Sequence, residues 1–308
     1  MGNEAYIQNI KNRNKLKEGL FIFSLVIYPI LQFCVFYIFV NFNSIILAFE
    51  NIDKNNVATF AGFSNFALFF ENIVKDGAEV SMAMKNSAIA YACTTVIGFP
   101  LSMFFSYYIF KKFPFAAVYR IIVMLPTILS AMLMGLIFQK FMHSLPVAME
   151  KIGWKDFPRF LSDDKYIFGT IVFYSIWTGF ATGTIIYSNA MNGIDKEVLE
   201  SGEIDGTTYL REFWHLVLPL IFPTITTFIV SGVAGLFTFS GPLYEFYGME
   251  APYSSLTMGY YMMIQTLKST NYMQYPVVAA QGIVLTIVAF PLTMLVKWLM
   301  EKFDPTSD

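Results

Sequence analysis

Leu20–Phe42 reads LFIFSLVIYPILQFCVFYIFVNF and contains no Asp, Glu, Lys or Arg. About 20 predominantly apolar residues in a helix cover the roughly 30 Å of a bilayer's hydrocarbon core. This run therefore reads as a membrane span. Lys11, Arg13, Lys15 and Lys17 precede it, and no small-residue cleavage site follows it. It is expected to be retained as a span, not removed as a secretory leader.

Outward from this run the pattern repeats. Six spans are expected at about 20–42, 86–110, 121–141, 166–189, 217–241 and 277–299, with no Asp, Glu or Arg well inside any of them. Lys85, Lys140 and Lys297 fall at span ends, where a long side chain reaches the interface. Of the 308 residues, 56% are hydrophobic and only 14% charged, against about 25% charged in a soluble domain. A chain so poor in charge presents an apolar surface, and lipid is the solvent that suits it. The net charge of −2 comes with no basic patch interleaved with aromatics, so no nucleic-acid partner is expected. Cys34 and Cys93 lie within apolar runs and read as small core residues.

The expected fold class is an all-α polytopic membrane protein: six transmembrane helices, both termini cytoplasmic, and a cytoplasmic helix-turn-helix loop. The basic cluster before the first span and the Lys111-Lys112…Arg120 loop set the cytoplasmic side. The opposite loops carry Lys151, Lys155 and Lys165, so the first span weighs most. Residues 1–19 form an N-terminal segment, 20–299 the six-span domain and 300–308 a tail. The outer segments are about 43–84, 142–165 and 242–276. Ala61-Gly62-Phe63-Ser64-Asn65-Phe66 suits an interfacial stretch, and Met258–Met263 a short surface helix. Pro29, Pro100, Pro126, Pro223 and Pro291 read as helix kinks whose freed carbonyls neighbours satisfy.

The loop at 190–219 is the charged exception. Asp195 is a good N-cap, accepting from free N–H groups at the positive end of a helix dipole. Ile194 and Leu199 have the spacing of a hydrophobic staple. A helix from about 196 is expected to end near Gly206, which tolerates positive φ. Thr207 or Thr208 can cap a second helix carrying Leu210, Phe213, Trp214 and Val217, and Leu218-Pro219 turns the chain into the fifth span. The loop should lie along the membrane with one apolar and one acidic side.

Glu200-Ser201-Gly202, three residues, Gly206, nine residues and then Leu216-Val217-Leu218-Pro219 resembles the EAA loop of permease subunits of bacterial ATP-binding-cassette importers. Asp205-Gly206 and Phe213-Trp214 make it most similar to the carbohydrate, maltose-permease-like branch. Ser201 and Gly202 stand where that family often has alanine, and Leu216 where it often has isoleucine. The resemblance implies a multi-pass cell-membrane transport subunit with no catalytic residues of its own. It implies that Glu200, Ser201, Gly202, Asp205, Gly206, Phe213, Leu216, Leu218 and Pro219 form the docking site for an ATPase. Expected partners are a second six-span permease subunit, two cytoplasmic ATPase subunits and an extracellular solute-binding (lipo)protein. ATP and Mg would belong to the ATPases, with no cofactor bound by this chain.

The residues agree with a passive subunit. No Gly-x-x-x-x-Gly-Lys-Ser/Thr run is present to cradle phosphates. His143 and His215 are isolated, so no metal site is expected. No carboxylate is expected mid-membrane, where proton-driven carriers place one, and this favours an external energy source. Two hydroxyl stripes are candidates for a solute cavity: Tyr174, Ser175, Thr178, Gly179 and Thr182 in the fourth span, and Thr227, Ser231, Gly235 and Thr238 in the fifth. Residues four apart share a helix face, and neutral hydroxyls suit an uncharged solute such as a sugar. Small and hydroxyl residues also serve helix packing, and both readings stand at this point. Importers of another small solute (glycerol phosphate, a polyol) and a membrane scaffold or sensor recruiting a soluble partner through 190–219 are the alternatives.

Overall fold

The protein is described by a computed structural model covering residues 2–75, 79–269 and 272–305, with side chains from Lys17 onward. The side chains of Lys11, Arg13 and Lys15, and the last residues of the tail, lie outside the described residues. The chain forms two compact units, Met1–Ala67 with Thr270–Ile283, and Leu68–Ser269 with Val284–Asp308.

In the first unit, α1 (Lys17–Leu47) has mean hydropathy 2.2 and buries none of its apolar window. Its surface is that of a helix meant for lipid. Among the described residues, the one departure from an all-α chain follows it: β1 (Glu50–Ile52) pairs antiparallel with β2 (Ala58–Phe60). Asn65 secures this hairpin, donating from Nδ2 to the carbonyls of Ala48 (2.9 Å) and Glu50 (2.8 Å). Phe49, Phe63 and Phe66 cluster beside it. α2 (Ser64–Val74) leads into the second unit.

The second unit holds α3 (Glu79–Phe110), α4 (Ala116–Ile128), α5 (Ala131–Lys151) and α6 (Asp164–Asn192). The loop helix α7 (Lys196–Ile204) follows, then α8 (Tyr209–Leu220), α9 (Phe222–Ala234), α10 (Leu243–Tyr247) and α11 (Met258–Lys268). α12 (Tyr275–Lys302) contributes its residues from Val284 onward to this unit. Among the described residues five helices are long and apolar enough to cross a bilayer, or six if α8 and α9 count as one bent span.

α3 and α6 form the most extensive helix pair of this unit. Small residues bring their backbones close: a Cβ at Gly183 would sit 2.7 Å from Ser102 Oγ. Ser106 donates to the carbonyl of Thr184 at 3.0 Å. The unit has two ends. At one, Lys111 meets the loop helices. At the other, Asn86 donates to the carbonyls of Ser254 and Leu256, and Ser254 donates to Asp164. Asn86 and Lys111 are about 37 Å apart along α3 at 1.5 Å per residue, enough to traverse hydrocarbon.

Three expectations are corrected here. The span read at 121–141 is two helices, broken at Leu129, whose backbone is extended, and restarted by Ser130, whose Oγ accepts from Leu133 N. Pro126, which lacks the N–H for an i−4 bond, weakens the preceding turn. The fifth span does not begin at Leu218-Pro219. Helix α8 passes through both, and the chain bends by 67° at Ile221 instead. Proline is tolerated in a helix's first turn, and Pro223 starts α9 in that way. Finally, α9 stops at Ala234, so 235–241 is non-helical where the span was expected to continue. α11 packs directly on that irregular backbone. A Cβ at Gly259 would lie 2.6 Å from Thr238 C and 2.7 Å from Phe239 C, and closer still to Thr238 O.

Candidate functional site

The loop forms as a helix-turn-helix. α7 ends in a Schellman turn: Thr207 N donates to Gly202 O and Gly206 N to Glu203 O, both at 3.0 Å. Gly206 has φ +73°, a conformation that only glycine adopts without strain. Asp195 and Thr208 occupy the N-cap positions with extended backbone, but neither side chain makes the expected capping bond. Ile194 and Leu199 both pack on the core beneath, as a staple would.

One side of the loop is buried. Phe213 stacks on Phe104 (5.4 Å) and packs on Tyr107 (5.0 Å). Val217 is fully buried, and Leu216, Leu218 and Pro219 are half-buried. Gly202 is buried because Leu216 lies over it, and a Cβ there would be 2.7 Å from Leu216 Cδ1. The glycine and the leucine thus fit each other. Residues Phe213–Val217 form a widened π turn. The other side is open: Glu200, Ser201 and Asp205 are exposed, beside exposed Ile204, Tyr209, Leu210 and Trp214. Ser201 Oγ bonds back to Val198 O. His215 is exposed with Nδ1 at 3.1 Å from Arg211 O.

A cluster that the sequence reading missed fastens the buried side. Lys111 Nζ lies 3.0 Å from Glu212 Oε2 and 3.3 Å from Glu203 Oε1. Tyr107 Oη donates to Tyr209 O at 2.9 Å. Glu212 is only 2% exposed, and its other carboxylate oxygen is buried with no partner among the described residues. Burial pushes the Lys111 ammonium's pKa down. The hydrogen bond and charge of Glu212, then those of Glu203, outweigh it and hold the pKa above the ordinary 10.5. A group raised in this way stabilises the fold in full below its unfolded value and loses that contribution as pH rises through its folded value. The pair's contribution to the thermal midpoint is therefore expected to stay constant from neutral pH to about 10. Midpoints should fall above that range, and the Lys111→Met variant should lack the pair's share of that fall. A pair-dependent loss at mildly alkaline pH would contradict this.

Between α3, α6 and α9 lies a cavity of about 640 Å³. Of the expected residues, Ser175, Gly179, Thr182, Gly235 and Thr238 line it. Tyr174, Thr178, Thr227 and Ser231 do not. Tyr174 is buried against Phe138 and Phe246, and Thr178 bonds back to Tyr174 O. Thr227 and Ser231 are exposed on another face of α9, with Thr227 bonded to Pro223 O. On α9 the lining residues are Phe228, Ile229 and Gly232, one residue round from Thr227 and Ser231. A third wall was missed altogether: Tyr91, Thr94, Thr95, Gly98, Phe99 and Ser102 of α3. The Gly98, Ser102, Ser106 spacing of four was the available signal. The lining contains hydroxyls and aromatics and no ionisable acid, lysine, arginine or histidine.

A carboxylate does enter the helical bundle. Glu245 on α10 sits where a Cβ on Gly135 would be 2.6 Å from its own Cβ, beside Tyr174 Oη. One of its oxygens is buried with no partner among the described residues. Tyr174 lies about 15 Å along α6 from Asp164. Glu245 thus lies inside the bundle although its segment, 242–276, reads from the sequence as an outer one. No group of three metal-ligand side chains occurs among the described residues.

Comparison with known proteins agrees with this architecture. MsmF of Streptococcus mutans, a multiple sugar-binding transport system permease protein, is 28% identical over 58% of this chain and 61% of its own length. AraP of Bacillus subtilis, an arabinooligosaccharides transport system permease protein, is 21% identical over 89% of this chain and 86% of its own. The chain thus spans less than two thirds of MsmF. A crystal structure of a bacterial ABC transporter involved in import of the acidic polysaccharide alginate superposes with TM-score 0.75 at 18% identity. That match covers 95% of this chain and 99% of the other. Residues 95–307, from the middle of α3 to the tail, match the family described as binding-protein-dependent transport system inner membrane component. The protein is therefore a multi-pass inner-membrane member of that family.

Proposed function

We propose that this chain is a pore-forming permease subunit of an ATP-driven, binding-protein-dependent importer of a sugar or oligosaccharide. The observation that carries the reading is the two-sided loop. Its inner side is packed and ion-paired to α3, and its outer side leaves Glu200, Ile204, Tyr209, Leu210 and Trp214 exposed at the end of the bundle. A side with apolar and acidic groups together suits a protein cleft with a basic group in it, here that of an ATPase subunit carrying ATP and Mg. The loop end and both termini then face the cytoplasm, and the domain runs from 20 to 299. Pushing the loop would swing the helices between inward-open and outward-open forms, a rigid-body switch. A second permease of this type, two ATPases and an extracellular solute-binding protein complete the machine. The relatives' names, with multiple-sugar and arabinooligosaccharide transport among them, support the solute class.

The cavity supports an uncharged solute. Its polar atoms come from Tyr91, Thr94, Thr95, Ser175, Thr182 and Thr238, and its flat faces from Phe99, Phe180, Tyr187 and Phe239. Sugar hydroxyls and C–H faces match such a lining. No cationic side chain lines the cavity, which suits a neutral solute better than a glycerol phosphate. The test is Gly179→Leu. Gly179 lines the cavity and a Cβ there meets nothing within 4 Å, so a larger side chain starts in open space. Uptake in vesicles with all partners and ATP is expected to fall at least tenfold, with ATPase association unchanged. Unaltered uptake would place the pathway elsewhere. No ATP-dependent uptake by the wild-type complex would favour the scaffold alternative.

A further inference from the structure

We propose that Lys111 is the positioning residue that makes α3 follow the loop when the loop is pushed. This rests on the importer reading above. The cavity has three helical walls, α3, α6 and α9. The chain joins two of them to the loop directly: α6 runs into it through Gly193-Ile194, and α9 leaves it at the 67° bend of Ile221. α3 has no such covalent link, yet it supplies Tyr91, Thr94, Thr95 and Ser102 to the lining.

It is packed along α6, where Ser106 donates to Thr184 O, and its own connection to the loop is non-covalent and sits at its last residues. Lys111 caps α3, and its ammonium reaches one carboxylate on each loop helix, Glu203 on α7 and Glu212 on α8. The same ammonium lies 5.4 Å from the centre of the Tyr209 ring. The Tyr107 hydroxyl, one turn back, holds the Tyr209 carbonyl. The neighbouring contacts of Phe104 and Tyr107 with Phe213 are apolar. Apolar contact is non-directional and permits sliding. A buried charge pair with hydrogen bonds fixes register, because any slip leaves Glu212 buried and unpaired. The apolar contacts therefore hold α3 against the loop, and Lys111 sets where. With the clamp in place, a push on the loop moves all three walls. Without it, α3 follows only through its packing on α6, and its loop end lags.

The experiment is ATP hydrolysed per solute imported, measured in vesicles holding the complete complex. Lys111→Met is expected to keep the ATPases bound and hydrolysing while import falls, raising the ratio about tenfold. Lys111→Arg keeps the charge and should stay within twofold of wild type. Because Lys111→Met leaves Glu212 buried alone and can fail to fold, Lys111→Met combined with Glu212→Gln serves as the second variant. It removes both charges and is expected to show the same raised ratio. A residue that merely stabilises the fold would lower hydrolysis and import together and leave the ratio unchanged. A wild-type ratio in either Lys111→Met variant overturns the proposal. Failure of the wild-type chain to bind any ATPase would overturn the importer reading instead, and the two failures are told apart by that control.

Discussion

Replacing Gly259 by alanine is expected to cost this protein its fold around the cavity. The methyl group would fall between 2.6 and 2.7 Å from the Thr238 and Phe239 carbonyl carbons. Those are backbone atoms, so no side-chain rotation relieves the clash. Retreat of α11 is also blocked. Ser87 Oγ accepts from Met258 N at 2.8 Å, and Thr257 donates to Ser240 O. Met258 and Tyr260 on either side are buried at 0% and 1% exposure. Overpacking a core by one methyl costs roughly 1–3 kcal/mol, and the upper end applies where backbone must move. The thermal midpoint of the detergent-purified protein should drop, and uptake should be lost because 238–239 lines the cavity. Gly179→Ala, also within a helix but with open space around it, is the matched control and should lower neither. A wild-type midpoint for Gly259→Ala would show that α11 is not seated as described.

The second large effect is expected for Glu200→Lys. Glu200 is exposed, and exposed substitutions away from buried features usually change stability by no more than about 0.5 kcal/mol. The variant should reach the membrane in normal amount. Yet reversing this charge sets a lysine against the basic group expected in the ATPase cleft, where like charges repel. Uptake is expected to fall to background, with the ATPases lost on purification. Normal uptake by the variant would remove Glu200 from the docking site.

How much of this was legible in the sequence depends on the range of the forces involved. The Gly206 turn was legible because a single residue type tolerates its φ and the flanking pattern marks a helix end. The apolar runs announced themselves by composition alone. The cap positions Asp195 and Thr208 were found, but whether their side chains bond was not, since that depends on the rotamer. The break at Leu129–Ser130 and the bend at Ile221 were misplaced because prolines 126 and 219 were read locally, while packing decides where a weakened helix gives way. The two-stranded hairpin at Glu50–Phe60 is too short to show a period. The hydroxyl stripe on α9 was off by one residue because Thr227 satisfies itself on Pro223 O, so its spacing says nothing about what it faces. Lys111 and Glu212 are 101 residues apart, and nothing in either neighbourhood points to the other. Glu245 was taken for an outer residue because the backward fold of 235–248 depends on Gly241 and Gly248, both at positive φ, and on tertiary contacts.

The measurement that bears most directly on the account is proximity cross-linking from position 200 in the assembled complex. Cysteine is placed at Glu200, with Cys34 and Cys93 changed to serine, and a short thiol-reactive cross-linker is applied to purified complex and to intact cells. The account predicts an adduct on a nucleotide-hydrolysing subunit, and protection of position 200 from membrane-impermeant reagent added outside. Labelling of that cysteine from outside the cell, or adducts confined to an external binding protein, would contradict it.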